Sequence, residues 1–380
     1  MTAPATSATV SPAAPIERHG RDVDAARVAR WLLGSPAQQV GTAHAGAVAG
    51  WIGADGQGGY VYPEITGYYL QWLAWMTQTH GRQTFYVARA EAALHWLTQW
   101  LTADNVPATR IYINGPREDW RNDALFAFDV AMVLRGIGAA VGARLLASPA
   151  FIIERTCSWL SRLIGLDGQL DACLKHRNEG SFPDRWSTRR EPFLAKAAAG
   201  IIGAARALPD VPTGLRIAAQ RTFDASLDAL LRDTPEDSHP FLYAVEGFLA
   251  LPKDAAFIER LPKVAARFDA LLQHARQIGR VPETLSRAGT PRLDIVAQTV
   301  RAGLLLNAHQ AAQASSAPEL DNLADTLAQY VRADGAVPFT PDARAAQFNV
   351  WTAMFTEQAL ALANREPREI ARIARAPIII

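Results

Sequence analysis

The sequence has very little cysteine: Cys157 and Cys173 are the only two in 380 residues. Neither belongs to a Cys-x-x-Cys or Cys/His spacing, which argues against a structural zinc site and against a disulfide framework. Such sparse cysteine usage is typical of a protein from a reducing compartment. We therefore expect no metal and no cofactor, although carboxylates at a loop cluster could still hold calcium.

The chain also lacks an excess of charge of either sign. Its 38 basic and 37 acidic residues leave a formal net charge of +1, and no long basic block occurs. A nucleic-acid binder normally carries a basic surface that neutralises phosphates, so we expect no nucleic-acid partner. A local cluster of cations could still bind an acidic polymer.

Long apolar runs are missing as well. No run reaches the roughly 18 residues that a membrane span requires, so we expect no membrane insertion. Residues 1–20 are rich in Ala, Pro, Ser and Thr and lack the basic start and apolar stretch of a secretory signal. We predict a disordered tail over residues 1–20, one domain over residues 21–380, and a cytoplasmic location. The sequence leaves the oligomeric state open.

What the sequence does contain is an internal repeat. Six times a turn leads into an apolar helix that opens on a polar residue. These openings are Glu64, Asp123, Glu191, His239, Asp294 and Asn349. The steps between them, roughly 48 to 68 residues, fit two antiparallel helices and their loops. We predict an all-α fold in which six helical hairpins close into an (α/α)6 toroid.

The helices that follow these openings are apolar or small on both sides, as in residues 124–136, 193–205 and 295–306. Helices of this kind are buried on every side, which is the situation of the inner ring of a toroid. All inner helices then run in one direction, so their N-termini and the preceding loops meet at one mouth. Helix N-termini favour carboxylates, so the acidic openings could also be plain caps.

Turns and short strands are predicted in the mouth loops. Four Asp-Gly or Asn-Gly dipeptides precede openings, because Gly accepts the positive φ that such turns need. Their glycines are Gly56, Gly115, Gly168 and Gly335. Short strand signals lie at residues 60–62, 110–113 and 337–339.

The first mouth loop is aromatic and carries one carboxylate. Tyr60, Tyr62 and Tyr68 surround Glu64. Tyrosine rings stack on the apolar faces of sugars while their hydroxyls bond to polar groups. This pattern favours a saccharide-binding wall with Glu64 as a catalytic candidate. The alternative is that Glu64 caps its helix and the tyrosines pack in the core.

The second mouth loop holds Trp120, a candidate platform, and Asp123, a candidate catalytic carboxylate at the repeat position. Asp129 follows within the next apolar helix. A buried charge must be paired or functional. We interpret Asp129 as the partner of an arginine such as Arg121 or Arg135.

The third loop is the most basic stretch of the chain. It contains Arg185, Trp186, Arg189, Arg190 and Glu191. Clustered guanidinium groups bind carboxylate, phosphate or sulfate through paired N–H donors, so this loop favours an anionic substrate. A solvated charged loop is the alternative.

His239 is the only histidine at a repeat opening, which makes it the best candidate for proton transfer, and Tyr243 follows one turn later. The last two repeats add polar candidates for substrate binding and, with Asp294, for catalysis. These are Arg292, Asp294, Gln298, Asn349 and Trp351. Tyr68, Tyr243 and Gln298 occupy equivalent positions that alternate with alanines, leaving room for a sugar ring.

The repeat number, mouth chemistry and aromatic content of residues 25–365 resemble the (α/α)6 toroids of carbohydrate-active enzymes. That group includes six-hairpin glycosidases, polysaccharide lyases and sugar epimerases. Residues 62–68, Tyr-Pro-Glu-Ile-Thr-Gly-Tyr, are similar to a Tyr-Pro-Glu-x-Thr-Gly-Tyr segment in toroidal proteins of bacterial polysaccharide clusters. The resemblance implies a saccharide-active enzyme.

Our first hypothesis is a glycoside hydrolase that cleaves an acidic oligo- or polysaccharide. Glu64 and Asp123 would be its acid and base, with Asp294 in reserve. Tyr68, Trp186 and Tyr243 would be platforms for the sugar, and Arg189 and Arg190 would clamp its anionic groups.

Two other classes stay open. A uronate lyase or sugar epimerase would use His239 or Tyr243 as a base, with Asn349 and Arg190 neutralising the substrate carboxylate. A non-catalytic glycan-binding or polysaccharide-biosynthesis toroid would use the carboxylates only as caps and ion pairs. The Asp-rich motifs of isoprenoid cyclases are missing.

Overall fold

The structure is a computed structural model that describes residues 18–34, 36–102, 106–176, 182–233, 236–251, 254–284, 291–310, 317–342 and 347–373. The helices within these ranges, in chain order, are α1 Arg18–Gly34, α2 Pro63–His80, α3 Thr84–Thr102, α4 Ala127–Gly142, α5 Ala150–Ser161, α6 Leu194–Ala207, α7 Thr213–Arg232, α8 Ser238–Ala250, α9 Ala255–Ile278, α10 Leu293–Gln310, α11 Ala317–Gln329, α12 Val350–Ala363 and α13 Pro367–Ile373.

The even-numbered helices from α2 to α12 form the inner ring. Each packs on the next along the chain, and α12 packs on α2, which closes the ring. The odd-numbered helices from α1 to α11 form the outer layer. This arrangement confirms the predicted (α/α)6 toroid.

Helix α1 begins at Arg18, inside the segment predicted to be a tail. The rest of that segment, residues 1–17, lies outside the described residues.

Where the inner helices cross, their residues are small enough for the two backbones to come into contact. A Cβ atom added to Gly136 of α4 would lie 2.2 Å from the carbonyl oxygen of Gly67 in α2. A Cβ atom on Gly247 of α8 would lie 2.5 Å from the backbone of Lys196 in α6. Glycine is required at these crossings because any side chain would push neighbouring helices apart.

Six short strands lie in the mouth loops. They are β1 Trp51–Gly53, β2 Tyr60–Val61, β3 Ile111–Tyr112, β4 Ala124–Phe126, β5 Cys173–Lys175 and β6 Gln347–Asn349. They form three antiparallel pairs: β1 with β6, β2 with β3, and β4 with β5. In the first pair Trp51 lies opposite Asn349, so the first loop is joined to the last one.

The predicted strand signals are confirmed in two places out of three. Residues 60–62 and 110–113 contain β2 and β3, which pair with each other. Residues 337–339 form no strand: Pro338 makes only an isolated bridge to Phe348. Proline has no backbone N–H to donate, which limits pairing at that position.

The predicted turn chemistry is confirmed. Gly56, Gly115, Gly168 and Gly335 all have positive φ, at 78°, 104°, 74° and 90°. Across the described ranges, no helix combines the length and the apolar character that crossing a membrane requires.

Candidate active site

A cavity of about 790 Å³ opens at the mouth, between the loops that precede the inner helices. Many of the predicted site residues line it. These are Tyr60, Tyr62, Glu64, Trp120, Arg185, Trp186, His239, Tyr243, Arg292, Asn349 and Trp351. The shared mouth expected from the repeat therefore exists. Four of the six repeat openings, Glu64, His239, Asp294 and Asn349, line this cavity or lie beneath it, whereas Asp123 and Glu191 do not.

Asp123 does not line the cavity. It ends a short 3-10 turn over residues 120–123 and is followed by β4, so that α4 begins only at Ala127. The backbone carbonyl of Asp123 accepts a hydrogen bond from the backbone N–H of His176 at 3.1 Å. The prediction that Asp123 opens the inner helix was wrong by four residues, and this displacement takes its side chain off the cavity wall.

The basic third loop divides between the cavity and the solvent. Arg190 is held outside by Asp167 at 2.5 Å and by Asp171 at 2.8 Å. Arg189 lies within 3.5 Å of Glu191, and neither side chain lines the cavity. The proposed clamp of Arg189 and Arg190 is therefore a solvated charged loop, whereas Arg185 and Trp186 do face the cavity.

Two buried carboxyl groups from neighbouring inner helices line the cavity. Glu64 lies in the first turn of α2 and Asp129 in the first turn of α4, and each side chain is 7% exposed. The Gly67 and Gly136 crossing brings these two helices together, so the two carboxyl groups interact electrostatically. The Tyr62 hydroxyl donates to Oδ1 of Asp129 at 3.3 Å.

Both carboxyl groups of this pair have a raised pKa. Burial and the adjacent charge of Glu64 raise the pKa of Asp129 well above its ordinary value. Burial also raises the pKa of Glu64, against the opposing effects of the Tyr62 hydrogen bond and the Lys196 charge. Because two neighbouring buried carboxyl groups are difficult to ionise together, Asp129 is the one that keeps its proton to higher pH.

The sequence interpretation of Asp129 was wrong. No ion pair to Asp129 occurs among the described residues, and Arg121 instead pairs with Asp119 at 3.1 Å. Asp129 was assigned to the helix interior because the helix was started at Asp123. The equivalence between Glu64 and Asp129, both in the first turn of an inner helix, is the signal that would have found it.

A neutral imidazole lies on another part of the cavity wall. Nδ1 of His239 lies 2.6 Å from Oε1 of Gln298, whose Nε2 donates to the Glu246 carboxylate at 3.2 Å. Because a carboxylate only accepts, Gln298 must turn its oxygen toward His239, and Nδ1 carries the proton. The Nε2 lone pair of His239 is left without a partner among the described residues, on a side chain that lines the cavity.

Burial and the nearby Arg292 charge lower the pKa of His239 to about 4. Its ring is 4.3 Å from that of Tyr243, between centroids. Burial raises the pKa of the Tyr243 hydroxyl well above its ordinary value, and the nearby charge of Glu64 raises it further. Tyr243 therefore interacts with both Glu64 and His239 in the same cavity.

The carboxylate of Asp294 is hydrogen-bonded to neighbouring side chains. Its fully buried carboxylate accepts from Arg292 at 2.7 Å and from the indole Nε1 of Trp351 at 3.1 Å. Despite burial, the charge of Arg292 holds the pKa of Asp294 below its ordinary value. Asp294 thus positions Arg292 and Trp351 on the cavity wall and is not itself exposed to a ligand.

A buried polar network lies beneath this cavity. The Lys196 ammonium donates to Glu246 at 2.7 Å, and Arg301 pairs with the same carboxylate. The Lys196 Nζ also lies 4.5 Å from the ring centroid of Tyr243 and 4.8 Å from that of Tyr68, so both rings rest on a cation. Burial lowers the pKa of Lys196 to about 7. Tyr68 and Gln298 therefore support the site from beneath it.

The rim of the cavity combines aromatic rings with guanidinium groups. The Arg117 and Arg185 guanidinium carbons lie 5.6 and 5.9 Å from the ring centroids of Tyr112 and Trp120. Neither arginine makes an ion pair with a described residue, whereas Arg110 and Arg121 share Asp119. The rim thus presents two cations that are available to an anionic ligand. Within the described ranges, no three His, Cys, Asp or Glu side chains are grouped as metal ligands.

Comparison with known proteins identifies the fold. No protein-family model and no curated protein matches the sequence. Among solved structures, a D-mannose isomerase superimposes with a TM-score of 0.66 at 12% identity, covering 93% of this chain and 97% of that one. An unsaturated glucuronyl hydrolase specific for heparin gives 0.62 at 13% identity, with 94% and 98% covered. The cellobiose 2-epimerase of Spirochaeta thermophila gives 0.58 at 13%, also with 94% and 98% covered.

These structures share the six-hairpin toroid over nearly their whole length. At such low identity the likeness establishes the fold and not the reaction.

Proposed function

We propose that this protein is a carbohydrate-active enzyme that hydrolyses a glycosidic bond in an anionic oligosaccharide. The pair of buried carboxyl groups of Glu64 and Asp129, in a cavity walled by aromatic rings, is the observation that carries this proposal. A carboxyl group kept protonated at neutral pH is what a glycosidase needs as its general acid. The cavity volume of about 790 Å³ accommodates more than one sugar ring.

The proposed mechanism differs from the pairing of Glu64 with Asp123. In most glycosidases the two carboxyl groups flank the scissile bond, roughly 5 to 9.5 Å apart. Here Glu64 and Asp129 are buried on adjacent helices and electrostatically coupled, so in this proposal they act as one acid. The Asp129 proton passes to the glycosidic oxygen as its bond to the anomeric carbon breaks. Water attacks that carbon and gives its proton to Nε2 of His239, and both groups then return to their resting states through solvent.

An anionic substrate is supported by the rim. Arg117 and Arg185 are the rim cations without an ion pair to a described residue, and Arg292 faces the cavity from the wall. Guanidinium groups stacked on aromatic rings bind carboxylates or sulfates through paired N–H donors. We therefore propose that one sugar of the substrate carries such a group.

One observation favours a second reaction, epimerisation or isomerisation of a sugar. The fixed tautomer of His239 leaves Nε2 as a neutral base that faces the cavity. In that reaction His239 would take a proton from the carbon next to a carbonyl group, and the proton of the Asp129 carboxyl group would go to the carbonyl oxygen. The solved structures with this fold include a D-mannose isomerase and cellobiose 2-epimerases.

One experiment separates these proposals. The protein is incubated in D2O with a panel of neutral and uronate-containing oligosaccharides, and the products are examined by mass spectrometry and NMR. Hydrolysis gives shorter chains without deuterium on carbon, whereas epimerisation gives deuterium on carbon without cleavage. Asp129→Asn and His239→Ala should abolish either reaction, and the matched surface change Asp228→Asn should not. Binding without turnover across the panel would overturn both.

A further inference from the structure

A second cavity, of about 710 Å³, lies on the outer wall of the toroid. It forms where the outer helices α1 and α3 leave a gap that uncovers the inner helices α2 and α12. His80 ends α2 and Asn364 directly follows α12, and both line this cavity. Since the mouth is at the N-terminal ends of the inner helices, the second cavity lies toward the opposite end. It is separate from the proposed active site.

A buried carboxylate faces this cavity. Glu357 of α12 is 2% exposed, and its Oε2 accepts from the indole Nε1 atoms of Trp72 and Trp75, both at 3.0 Å. Its other oxygen, Oε1, has no hydrogen-bond partner among the described residues. Burial raises the pKa of Glu357 to about 7, against the two indole donors. The indole donors therefore fix the orientation of this carboxyl group, and its Oε1 is left to bond a ligand in the cavity.

Asn364 adds an unsatisfied amide to the same cavity. Both Oδ1 and Nδ2 of this side chain are buried and lack a hydrogen-bond partner within the described part of the chain. A buried polar atom without a partner is unfavourable, so a ligand that supplies the missing hydrogen bonds would be stabilised here. The amide offers one acceptor and two donor hydrogens, and it complements the free acceptor of Glu357.

The spacing of these groups suits an extended ligand. Glu357, Ala361 and Asn364 are at positions i, i+4 and i+7 of one helix, so they lie on one face. Seven residues of helix span about 10 Å, which is close to the length of two linked sugar rings. The methyl group of Ala361 leaves a shallow floor between the two polar ends. Phe85, 50% exposed, lies beside Tyr86 at the wall, with ring centroids 4.3 Å apart.

Apart from Glu357, whose pKa is raised to about 7, the charged Asp, Glu and Arg side chains that line the cavity balance. Asp22 and Glu369 are opposed by Arg30 and Arg365, all four being lining residues. A strongly charged ligand would find no excess of opposite charge. An uncharged molecule with many hydroxyl groups matches the donors, the acceptors and the aromatic wall together.

We infer that this outer-wall cavity is a second saccharide site, which binds an uncharged oligosaccharide through Glu357 and Asn364 and packs a sugar face against Phe85. Such a site would bind an uncharged segment of a polymer while another segment of the same polymer occupies the cavity at the mouth. The inference does not depend on the reaction proposed for the mouth.

The test uses Asp129→Asn protein, which retains the outer wall but not the proposed acid. Binding of maltotetraose, cellotetraose and tetra-N-acetylchitotetraose is measured by calorimetry before and after adding Ala361→Phe, which fills the floor. The matched control is Ala205→Phe, since Ala205 is also partly buried near the end of an inner helix. Thermal unfolding checks that both variants fold.

We expect at least one probe to bind and Ala361→Phe to weaken it tenfold or more, with Ala205→Phe within twofold of the parent. Asn364→Leu should weaken the same probe without blocking the floor. The inference is overturned if no probe binds, or if Ala361→Phe leaves the affinity unchanged, as it would for a saccharide held only in the mouth. Because turnover is not measured, failure here is distinct from failure of the proposed reaction.

Discussion

Oε1 of Gln298 lies 2.6 Å from Nδ1 of His239, and this contact decides which ring nitrogen carries the proton. We predict that Gln298→Leu lowers kcat by about 10- to 100-fold, because both tautomers become available and Glu246 loses a donor. The loss of a buried hydrogen bond should also cost about 1–3 kcal/mol of unfolding free energy. Steady-state kinetics and urea unfolding measure the two effects. Gln220→Leu, at an exposed position, should change neither.

The pH dependence of kcat/KM should be bell-shaped. Activity requires His239 unprotonated, so it falls as the pH drops through about 4. It also requires the proton on Asp129, so it falls again as the pH rises through the raised pKa of that carboxyl group. A pH–rate series on the substrate found by screening checks both limbs. A profile that is flat up to strongly alkaline pH would show that Asp129 is not the acid.

Asp129→Asn should change stability and activity in opposite directions. A carboxyl group whose pKa is raised in the folded state stabilises that state least at high pH, because the unfolded chain ionises more easily. Each unit by which the pKa is raised amounts to about 1.4 kcal/mol. We therefore expect Asp129→Asn to gain unfolding free energy above neutral pH and to lose turnover. Urea unfolding at pH 5 and pH 9 tests this, and a gain no larger at pH 9 than at pH 5 would contradict it.

Lys196 should be essential for stability. It is fully buried and paired with Glu246 at 2.7 Å, so Lys196→Met leaves a buried carboxylate with one cation fewer. Removing one member of a buried ion pair costs about 3–5 kcal/mol. Chemical denaturation should show a loss of that size. Lys263→Met, on the exposed side of α9, should change the unfolding free energy by less than about 0.5 kcal/mol.

The rim arginines should act on substrate binding. We predict that Arg117→Gln with Arg185→Gln raises KM for an anionic oligosaccharide about tenfold and leaves kcat nearly unchanged, because in the proposed reaction these groups bind the substrate and transfer no proton. The KM of the parent protein should rise with salt, and the double variant should lose most of this dependence. Arg206→Gln, at the exposed end of α6, is the control. An equal rise in KM for a neutral analogue would show that these arginines do not recognise the charge of the substrate.

The crossing of α2 and α4 should tolerate no side chain. Gly136→Ala places a methyl group 2.2 Å from the Gly67 carbonyl oxygen, so we expect a loss of about 1–3 kcal/mol together with reduced turnover. Gly203→Ala, in α6, meets no atom within 4 Å and should stabilise the helix by about 0.5–1 kcal/mol. Thermal unfolding of the two variants provides the comparison.

Much of the fold could be read from the sequence because its signals are local and repeated. The polar openings lie at or within a few residues of the starts of the inner helices, and Gly56 and Gly335 have the positive φ that their turns required. The strand at residues 337–339 was mispredicted because pairing depends on a distant partner. Only the structure supplies that partner, and Pro338 cannot donate to it.

The candidate site was less accessible to sequence reasoning. Glu64, His239, Tyr243 and Trp186 line the cavity, since a repeat position fixes which end of the helix they occupy. Tyr68, predicted as a platform for the sugar, is instead fully buried beneath the cavity. Asp129 was missed because a short 3-10 turn and a strand intervene before α4, and no local pattern marks that delay. The tautomer of His239 depends on Glu246 through Gln298, three residues that come together only in the ring.

The pairing of Trp51–Gly53 with Gln347–Asn349 has a consequence for biosynthesis. Nearly 300 residues separate the two partners, so the ribosome must deliver almost the entire polypeptide before they can meet. Until then α2 lacks its neighbour α12, and apolar surface that belongs in the ring interior is open to water. A nascent chain stalled before residue 347 would thus be a ligand for chaperones, and its ring would not be closed.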